Sequence, residues 1–418
     1  MNLMLRPLRS TLRAPLRSTL RAPLRSTLRA PLRSTLRGSL FSPLRSTLCG
    51  SMPRPLNRPL RTLVGLTLLI LSTVSASGWS AAATAEGQPL RIAFVHEHPV
   101  SAGGWSQSHD KARKGLEETF GKSIAVTTLE GIIPGPDTVR VLTRLARDRY
   151  DMIFATSFGH MNAVMKVAQQ FPQITFEHAS GYKQARNVGT YQIRAYEGRY
   201  LAGMIAGAMT RTNQIGYIGA FQIPEVVRDI NAFTLGVRAV NPAANVRLIW
   251  INTWLDPSRE REAAELLIAE KADIITHHTE TPAIAVAAEA AGVYVIGYQF
   301  DRSAFAPTHH LLTVEHNWLP IYREKVQARL EGRWKSNLVW LGLADDATRL
   351  VSLSKDIPAT VLLDVEAARQ DIIKGKRSIF AGTLRDNEKV ERVAAGQLLG
   401  DQDLAAIEWI VEGVSNAR

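Results

Sequence analysis

The chain of 418 residues contains a single cysteine, Cys49. This cysteine precedes the apolar stretch LVGLTLLILSTVSA at residues 63–76. If a leader that includes this stretch is removed, the remaining chain has no cysteine for a structural disulfide bond or for a lipid anchor. Residues 86–418 are nevertheless long enough to bury a large core and to form two domains without crosslinks.

Acidic residues are absent from the first 85 positions, which hold 13 of the 50 lysine and arginine residues. Residues 86–418 therefore carry 37 basic and 38 acidic residues, so the formal net charge of +12 belongs to the N-terminal region. Because the rest of the chain is close to neutral, its composition does not favour nucleic acid or an anionic membrane surface as a partner.

Two N-terminal segments differ in character from the rest of the chain. Residues 1–51 hold near-identical copies of PLRSTLRA, and the proline in every copy excludes a continuous helix. We interpret this repeat as a disordered segment or as the product of a wrongly assigned start codon, with a basic nucleic-acid-binding arm as the alternative. Residues 52–85 combine a basic start, a short apolar stretch and small residues at Ala83 and Ala85. This pattern predicts a signal peptide cleaved after about Ala85, and hence a periplasmic protein, rather than an uncleaved membrane anchor.

Apolar runs of strand length alternate with helical patterns over residues 90–195 and again over residues 213–300. Each of these two blocks contains four predicted strands, and such alternation is typical of parallel sheets covered by helices. We therefore predict an α/β protein with two doubly wound, Rossmann-like lobes and a ligand cleft between them.

The boundaries of the predicted lobes follow from these blocks. Lobe 1 spans residues 86–195 and is completed by segments after about residue 318. Lobe 2 spans residues 196–317 and is completed by segments after about residue 345. Residues 318–418 would supply the crossover segments and C-terminal helices. Within these parts we expect a polar connection over 179–190 and a terminal helix over 402–416.

Motifs of common enzyme classes are missing from the sequence: it has no GxSxG, no Walker loop and no GxGxxG. Glu177 beside His178 could act as an acid–base pair, but nothing nearby supplies an activated nucleophile. The run HHTE at 277–280 has residue types that bind zinc, yet adjacent histidine side chains diverge and no second cluster completes a ligand set. We therefore predict a binding protein without a metal or cofactor, rather than an enzyme.

Two tryptophans occupy equivalent places in the two blocks. Trp105 follows the first predicted strand of one block, Trp254 follows the predicted strand VRLIW of the other, and each precedes a helix. Because ligands bind at the carboxyl ends of parallel strands, the two side chains could hold a flat ring from both faces. The alternative is that each tryptophan packs on its own loop or helix. The other predicted ligand-binding residues lie in the remaining strand-end loops: Ser106, Phe158, His160, His178, His277, Thr279, Gln299 and Asp301, with Ser157, Glu177, Phe221, Gln222, His278 and Glu280 as further candidates in the same loops.

Several stretches together resemble the basic membrane protein family of ABC-transporter substrate-binding proteins. They include GGWSQSHDKARKGLEE, YDMIFATSFGH, FPQITFEHASGY, QIGYIGAFQIPEVVRDINAFTLGVRAVNP and KADIITHHTETPA, and the resemblance covers about residues 90–385. It implies a type I periplasmic-binding-protein architecture, in which two lobes close on a ligand and deliver it to an ABC permease in the inner membrane. In nucleoside-binding relatives, aromatic residues at the positions of Trp105 and Trp254 sandwich the base.

The chain departs from the nucleoside-binding pattern at three positions. It has Ser106 where relatives usually have Asn, His316 where they commonly have Lys, and Gln299 where they often have Asp. The resemblance therefore implies an adenine-like purine base, or a nucleoside, as the ligand of a monomeric importer component that does not bind nucleic acid. The alternatives are a ligand-binding sensor that partners a signalling receptor and a base-modifying enzyme.

Overall fold

The structure is a computed structural model that describes residues 87–416. The PLRSTLRA repeats and the predicted signal peptide lie outside the described residues. No helix within residues 87–416 is long and apolar enough to cross a membrane.

Strands and helices alternate along most of the described chain. The strands are β1 (Leu90–Val95), β2 (Ile124–Leu129), β3 (Met152–Ala155), β4 (Thr175–Ala179), β5 (Val188–Ile193), β6 (Gln214–Gly219), β7 (Asn245–Trp250), β8 (Ile274–His277), β9 (Tyr294–Gln299), β10 (His310–His316), β11 (Leu338–Leu341), β12 (Thr348–Val351), β13 (Leu384–Arg385), β14 (Glu391–Val393) and β15 (Val414–Asn416). The helices are α1 (Gly104–Phe120), α2 (Pro136–Arg147), α3 (Met161–Gln170), α4 (Ala195–Met209), α5 (Pro224–Val240), α6 (Pro257–Ala269), α7 (Ala283–Ala291), α8 (Leu319–Leu330), α9 (Ala359–Ile373) and α10 (Asp401–Ala405).

The first sheet is entirely parallel and has the strand order β11-β5-β4-β3-β1-β2. Successive residues of β1 point to opposite faces, because the side-chain period of a strand is two. Ile92 and Phe94 belong to the core cluster that includes Leu116 of α1, whereas Ala93 and Val95 pack with residues of α2 and α3. Both faces are covered, which explains why the strand reads as a continuous apolar run. This sheet and the helices α1, α2, α3 and α8 are called lobe 1 below.

The second sheet has the order β12-β10-β9-β8-β6-β7-β15 and is parallel except for the antiparallel edge strand β12. One face is covered by α4 and α5, and the other face is covered by α6 and α7. A Cβ atom built on Gly203 of α4 would lie 2.1 Å from the carbonyl oxygen of Phe233, and one built on Gly236 of α5 would lie 2.0 Å from that of Tyr200. The two helices therefore touch backbone to backbone, and only glycine fits at these points. This sheet and its helices, including α9, are called lobe 2.

Three chain segments connect the lobes. They run from β5 to α4, from β10 to α8 and from β11 to β12. The order of strands in both sheets is that of the predicted α/β fold with two doubly wound lobes. Asp256 caps α6, since its carboxylate accepts hydrogen bonds from the backbone N–H groups of Ser258 and Arg259, both at 3.1 Å.

Two local predictions are wrong. The predicted terminal helix over 402–416 is limited to α10, and the chain then extends to form β15 at the edge of the lobe 2 sheet. The predicted polar connection over 179–190 ends inside β5, whose sequence VGTYQI is buried throughout. β15 pairs with β7, which is distant in sequence, and β5 pairs with the distant β11 as well as with the nearby β4. Such pairing is not visible in local composition.

Candidate ligand-binding site

A cavity lies between the lobes, with about 450 Å³ of space free of protein atoms, its open mouth included. Its lining residues mostly follow the carboxyl ends of strands, where ligands bind in parallel α/β sheets. Lobe 1 contributes Glu97, Trp105, Ser157, Phe158 and Ser180, and lobe 2 contributes Ile223, Glu225, Trp254, His278, Thr279, Glu280 and Gln299.

The ring of Trp105 is held in place by its own lobe. Its indole N–H donates a hydrogen bond to the carbonyl oxygen of Thr156, at the end of β3. The ring centroid lies 4.7 Å from that of His109 and 5.1 Å from that of Trp318, with interplanar angles of 72° and 74°. These contacts fix the orientation of a partly buried ring before any ligand arrives.

Trp254 lines the same cavity from lobe 2. Its ring lies 5.0 Å from that of Phe221 at an interplanar angle of 60°, and 6.1 Å from that of His278. Like Trp105, it is partly buried and packs against the core. The two tryptophans are therefore presented to one cavity from opposite lobes.

The charged side chains that line the cavity are all carboxylates: Glu97, Glu225 and Glu280. The Ser157 hydroxyl donates a hydrogen bond to Glu97, but burial outweighs this contact and raises the pKa of Glu97. Burial also raises the pKa of Glu225. Within the described residues no lysine or arginine lines this cavity. An anionic ligand would meet only repulsion here, whereas a neutral ligand with hydrogen-bond donors would find acceptors.

A histidine joins the two lobes beside the cavity. The Nδ1 atom of His98 in lobe 1 lies 2.8 Å from Oε1 of Glu280 in lobe 2. Burial disfavours the charged imidazolium, but the hydrogen bond and the negative charge of Glu280, with the charge of Glu97, raise the pKa of His98 overall. The contact thus becomes a charge-assisted hydrogen bond when His98 is protonated.

The lobes also meet at Gly103 and Gly104, which precede Trp105 and lie against Arg302 and Glu280 of lobe 2. Gly104 has φ +55°, and a Cβ atom built on it would lie 2.6 Å from Nη2 of Arg302 and 2.8 Å from Cα of Glu280. Arg302 is buried and donates to the carbonyl oxygens of Glu280 and Thr281. The described arrangement is a closed one, and it depends on a residue without a side chain at position 104.

Five of the ten residues predicted to bind the ligand line this cavity and five do not. Those that line it are Trp105, Phe158, Trp254, Thr279 and Gln299. Those that lie outside the lining are Ser106, His160, His178, His277 and Asp301.

The outlying histidines have structural contacts in the described chain. Nε2 of His160 lies 2.7 Å from the carbonyl oxygen of Ile132, and Nε2 of His178 lies 2.7 Å from that of Ser157. Burial lowers the pKa of each of these histidines to about 4. Both are therefore neutral near pH 7, where each ring can hold a strand-end loop in place through its hydrogen bond.

The other three predicted residues outside the lining are buried or form hydrogen bonds away from the cavity. Nδ1 of His277 lies 3.2 Å from Oγ1 of Thr279, so its ring supports a lining residue from behind. Asp301 accepts hydrogen bonds from the Ser352 hydroxyl and from the backbone N–H of Ser303. The hydroxyl of Ser106 is buried and has no partner among residues 87–416.

The suggested pairing of Glu177 with His178 is wrong. Oε1 of Glu177 accepts a hydrogen bond of 2.7 Å from the Trp334 indole and lies 3.1 Å from Nζ of Lys325. His178 makes its hydrogen bond elsewhere, since adjacent residues of a strand point to opposite faces. Burial raises the pKa of Glu177 to about 7 although the positive charge of Lys325 opposes this shift. The carboxyl and the ammonium group therefore form a buried structural pair in the core of lobe 1, away from the cavity.

Four residues that line the cavity were not predicted from the sequence: Glu97, Ser180, Ile223 and Glu225. Glu97 and Ser180 follow the ends of β1 and β4, so the strand-end rule that found the other candidates also applies to them. Glu225 lies in the first turn of α5. It can be recognised as a candidate only when the start of this helix at Pro224 is known. No group of three or more metal-binding side chains occurs within residues 87–416.

Comparison with known proteins gives matches over most of the described chain. A family model, Bmp, described as ABC transporter substrate-binding protein PnrA-like, matches residues 90–381. A purine-binding protein of Brucella abortus is 38% identical over 348 residues, which are 83% of this chain and 99% of that protein. A protein of Haloferax volcanii, whose name assigns it to an ABC transporter for glucose, is 36% identical over 73% of this chain and 78% of its own length.

Solved structures agree with these relatives in fold. A solute-binding protein of an ABC transporter system from Aeropyrum pernix superimposes with a TM-score of 0.62 at 16% identity and covers 71% of this chain and 93% of its own. A similar protein from Conexibacter woesei gives a TM-score of 0.59 at 20% identity and covers 69% of this chain and 97% of its own. This likeness confirms the predicted type I periplasmic-binding-protein architecture.

The family match spans well over half of the chain, and it agrees with a two-lobed fold that encloses a cavity. Proteins of this kind bind a small-molecule ligand and serve a transporter permease, which confirms the expectation that the chain is not an enzyme. The chain therefore belongs to the Bmp family of PnrA-like ABC transporter substrate-binding proteins.

Proposed function

We propose that the chain is the exported, periplasmic binding component of an ABC importer, and that it holds a purine base or nucleoside between Trp105 and Trp254. The observation that carries this proposal is the pair of tryptophans, which line one cavity from opposite lobes. The 38% identity to a purine-binding protein supports the same ligand class. Stacking of a base on an aromatic side chain contributes roughly 1–3 kcal/mol, and every purine offers two faces.

The acidic lining narrows the ligand class further. Because Glu97, Glu225 and Glu280 surround the cavity without a neighbouring cation in its lining, a phosphate group would be repelled. We therefore propose a free base or an uncharged nucleoside as the ligand, and not a nucleotide. The cavity also offers the hydroxyl oxygens of Ser157 and Thr279 as hydrogen-bond acceptors, since the hydroxyl hydrogen of Ser157 is already donated to Glu97.

Ligand binding would be coupled to closure of the lobes. A ligand that contacts Trp105 and Trp254 together satisfies both only when the lobes are closed, so it shifts the population towards that state. The three connecting segments would act as the hinge, and the closed, monomeric protein would be the form that an inner-membrane permease recognises.

The direct test is native mass spectrometry of the purified protein, followed by identification of any small molecule that it releases. A purine base or nucleoside of matching mass supports the proposal. If the purified protein releases no small molecule, the test becomes a thermal-shift assay with adenine, adenosine, inosine, guanosine and glucose. An increase in melting temperature with glucose alone would refute the purine assignment and leave the fold and family unchanged.

A hexose is the second candidate, because the relative from Haloferax volcanii is named for glucose. Sugars also pack against aromatic rings, and the carboxylates of the cavity could accept hydrogen bonds from hydroxyl groups. We favour the purine because the relative named for purine binding is more similar and is covered almost completely.

A further inference from the structure

Several buried polar atoms of the cavity lining lack a hydrogen-bond partner within residues 87–416, and two of them are oxygens that can only accept. Oε2 of Glu280 and Oε1 of Gln299 are both buried, and neither accepts a hydrogen bond within residues 87–416. Both residues line the cavity, with only 4% and 3% of their surfaces exposed. A buried acceptor without a donor costs free energy, so such groups in a native protein require an explanation.

Glu280 is held so that one of its carboxylate oxygens stays available. Oε1 is engaged by Nδ1 of His98 at 2.8 Å, which orients the carboxylate across the lobe boundary. The backbone of Glu280 is fixed as well, because its N–H donates to the carbonyl oxygen of Trp254 at 3.0 Å and its own carbonyl accepts from Arg302. The free oxygen therefore lies in a well-fixed group directly beside one of the two tryptophans.

Gln299 is placed by an uncommon backbone conformation. It ends β9 with φ +69°, a left-handed value that a glutamine adopts at a cost. Its carboxamide oxygen lies at the lobe boundary, since a Cβ atom built on Gly104 would be 2.9 Å away from it. A carboxamide offers an acceptor and a donor side by side, which matches the amino group and adjacent ring nitrogen of an adenine edge.

We propose, on the basis of the purine-binding function above, that Glu280 and Gln299 select a purine with an exocyclic amino group over a 6-oxopurine. An amino group has two hydrogens to donate, one for each unpartnered oxygen. A 6-oxo group at the same place would put a carbonyl oxygen against the Glu280 carboxylate and leave that acceptor unpaired, even if the Gln299 carboxamide turned to donate its N–H group. A site built around a donor on its ligand discriminates strongly against an analogue that lacks it.

The experiment compares adenine, hypoxanthine and N6,N6-dimethyladenine by isothermal titration calorimetry. The three rings stack alike, but only adenine has N–H donors on the exocyclic group. We expect adenine to bind about 10- to 100-fold more tightly than either analogue, which corresponds to roughly one to two buried hydrogen bonds.

The variant Glu280→Gln tests the assignment to a residue. Glutamine keeps an oxygen for His98 and presents an amide N–H group in place of the free carboxylate oxygen. The ratio of hypoxanthine to adenine dissociation constants should fall by about tenfold or more. The matched control is Glu262→Gln on the exposed side of α6, which should leave the ratio unchanged.

The outcomes separate this inference from the proposed function. Equal binding of the three purines, or an unchanged ratio in Glu280→Gln, would overturn the inference while the purine site stands. If none of the three compounds binds and another metabolite does, the purine function itself is refuted. A normal melting temperature of each variant without ligand shows that the comparison is made on folded protein.

Discussion

Replacement of Trp254 by alanine is the sharpest test of the proposed stacking. Trp105 is a poorer choice, because its indole hydrogen bond to Thr156 and its contacts with Trp318 also organise lobe 1. Trp254 has fewer such roles: its nearest aromatic neighbour is Phe221, at 5.0 Å between ring centroids. Its removal should therefore mainly delete one face of the ligand site.

The expected loss follows from the value of one stacked base. Alanine substitution at such a platform costs roughly 1–3 kcal/mol, so the dissociation constant of the purine should rise about 5- to 150-fold. Trp254→Phe retains an aromatic face and should recover most of this loss. Both values can be measured by isothermal titration calorimetry with the purine identified by mass spectrometry.

The control is Trp409→Ala, which removes another partly buried tryptophan outside the cavity and should leave affinity unchanged. Thermal denaturation without ligand verifies that each variant is folded. If Trp254→Ala binds the purine within twofold of the unmodified protein, the stacking role of this residue is refuted.

Three further predictions concern stability and closure. Lys325→Met removes the cation that lies 3.1 Å from Glu177, whose carboxyl keeps only the hydrogen bond from Trp334. Because this carboxyl has a pKa of about 7 and can become neutral, the free energy of unfolding measured in urea should fall by roughly 1–3 kcal/mol at pH 7 and by more at pH 9, whereas an unchanged value at both pH values would contradict a paired state. Burial lowers the pKa of His160 in the folded protein to about 4. As the pH falls below 6.5, this histidine therefore becomes protonated in the unfolded chain but not in the folded protein, and the free energy of unfolding decreases until about pH 4. His160→Asn should consequently be less destabilising at pH 5 than at pH 7 by about 2 kcal/mol, and a pH-independent difference would refute this reasoning. Gly104→Ala places a methyl group against Arg302 of the other lobe and should prevent the lobes from closing. The ligand should then no longer reduce the radius of gyration measured by small-angle scattering, and an unchanged reduction would contradict this steric argument.

The sequence predicts the fold well where structure is determined locally. Most of the alternating strands and helices over residues 90–195 and 213–300 could be placed from apolar runs of strand length and helical patterns. The strands β5 and β15 could not, because β15 depends on pairing with the distant β7 and β5 is completed by the distant β11 as well as by its neighbour β4. The short edge strand β15 carries no local pattern that distinguishes it from a loop.

The candidate site was predictable in position but not in detail. The strand-end rule brought Trp105, Trp254 and Gln299 to one cavity. It could not separate lining residues from supporting ones: Thr279 lines the cavity, whereas His277, two residues earlier, contacts its hydroxyl from behind. That distinction depends on the direction of each side chain and on its distance from the cavity, and the sequence alone gives neither.

The strand order of the two sheets also has a consequence for how the chain is made. Lobe 1 is closed by β11, where Leu338 pairs with Thr190, and lobe 2 is closed by β15, where Val414 pairs with Val246. The first sheet cannot be completed until β11 has left the ribosome and the second not until β15 has, and pairing over such distances slows folding. A nascent chain of this design has no finished lobe over most of its synthesis, which is the state in which a polypeptide can be threaded across a membrane.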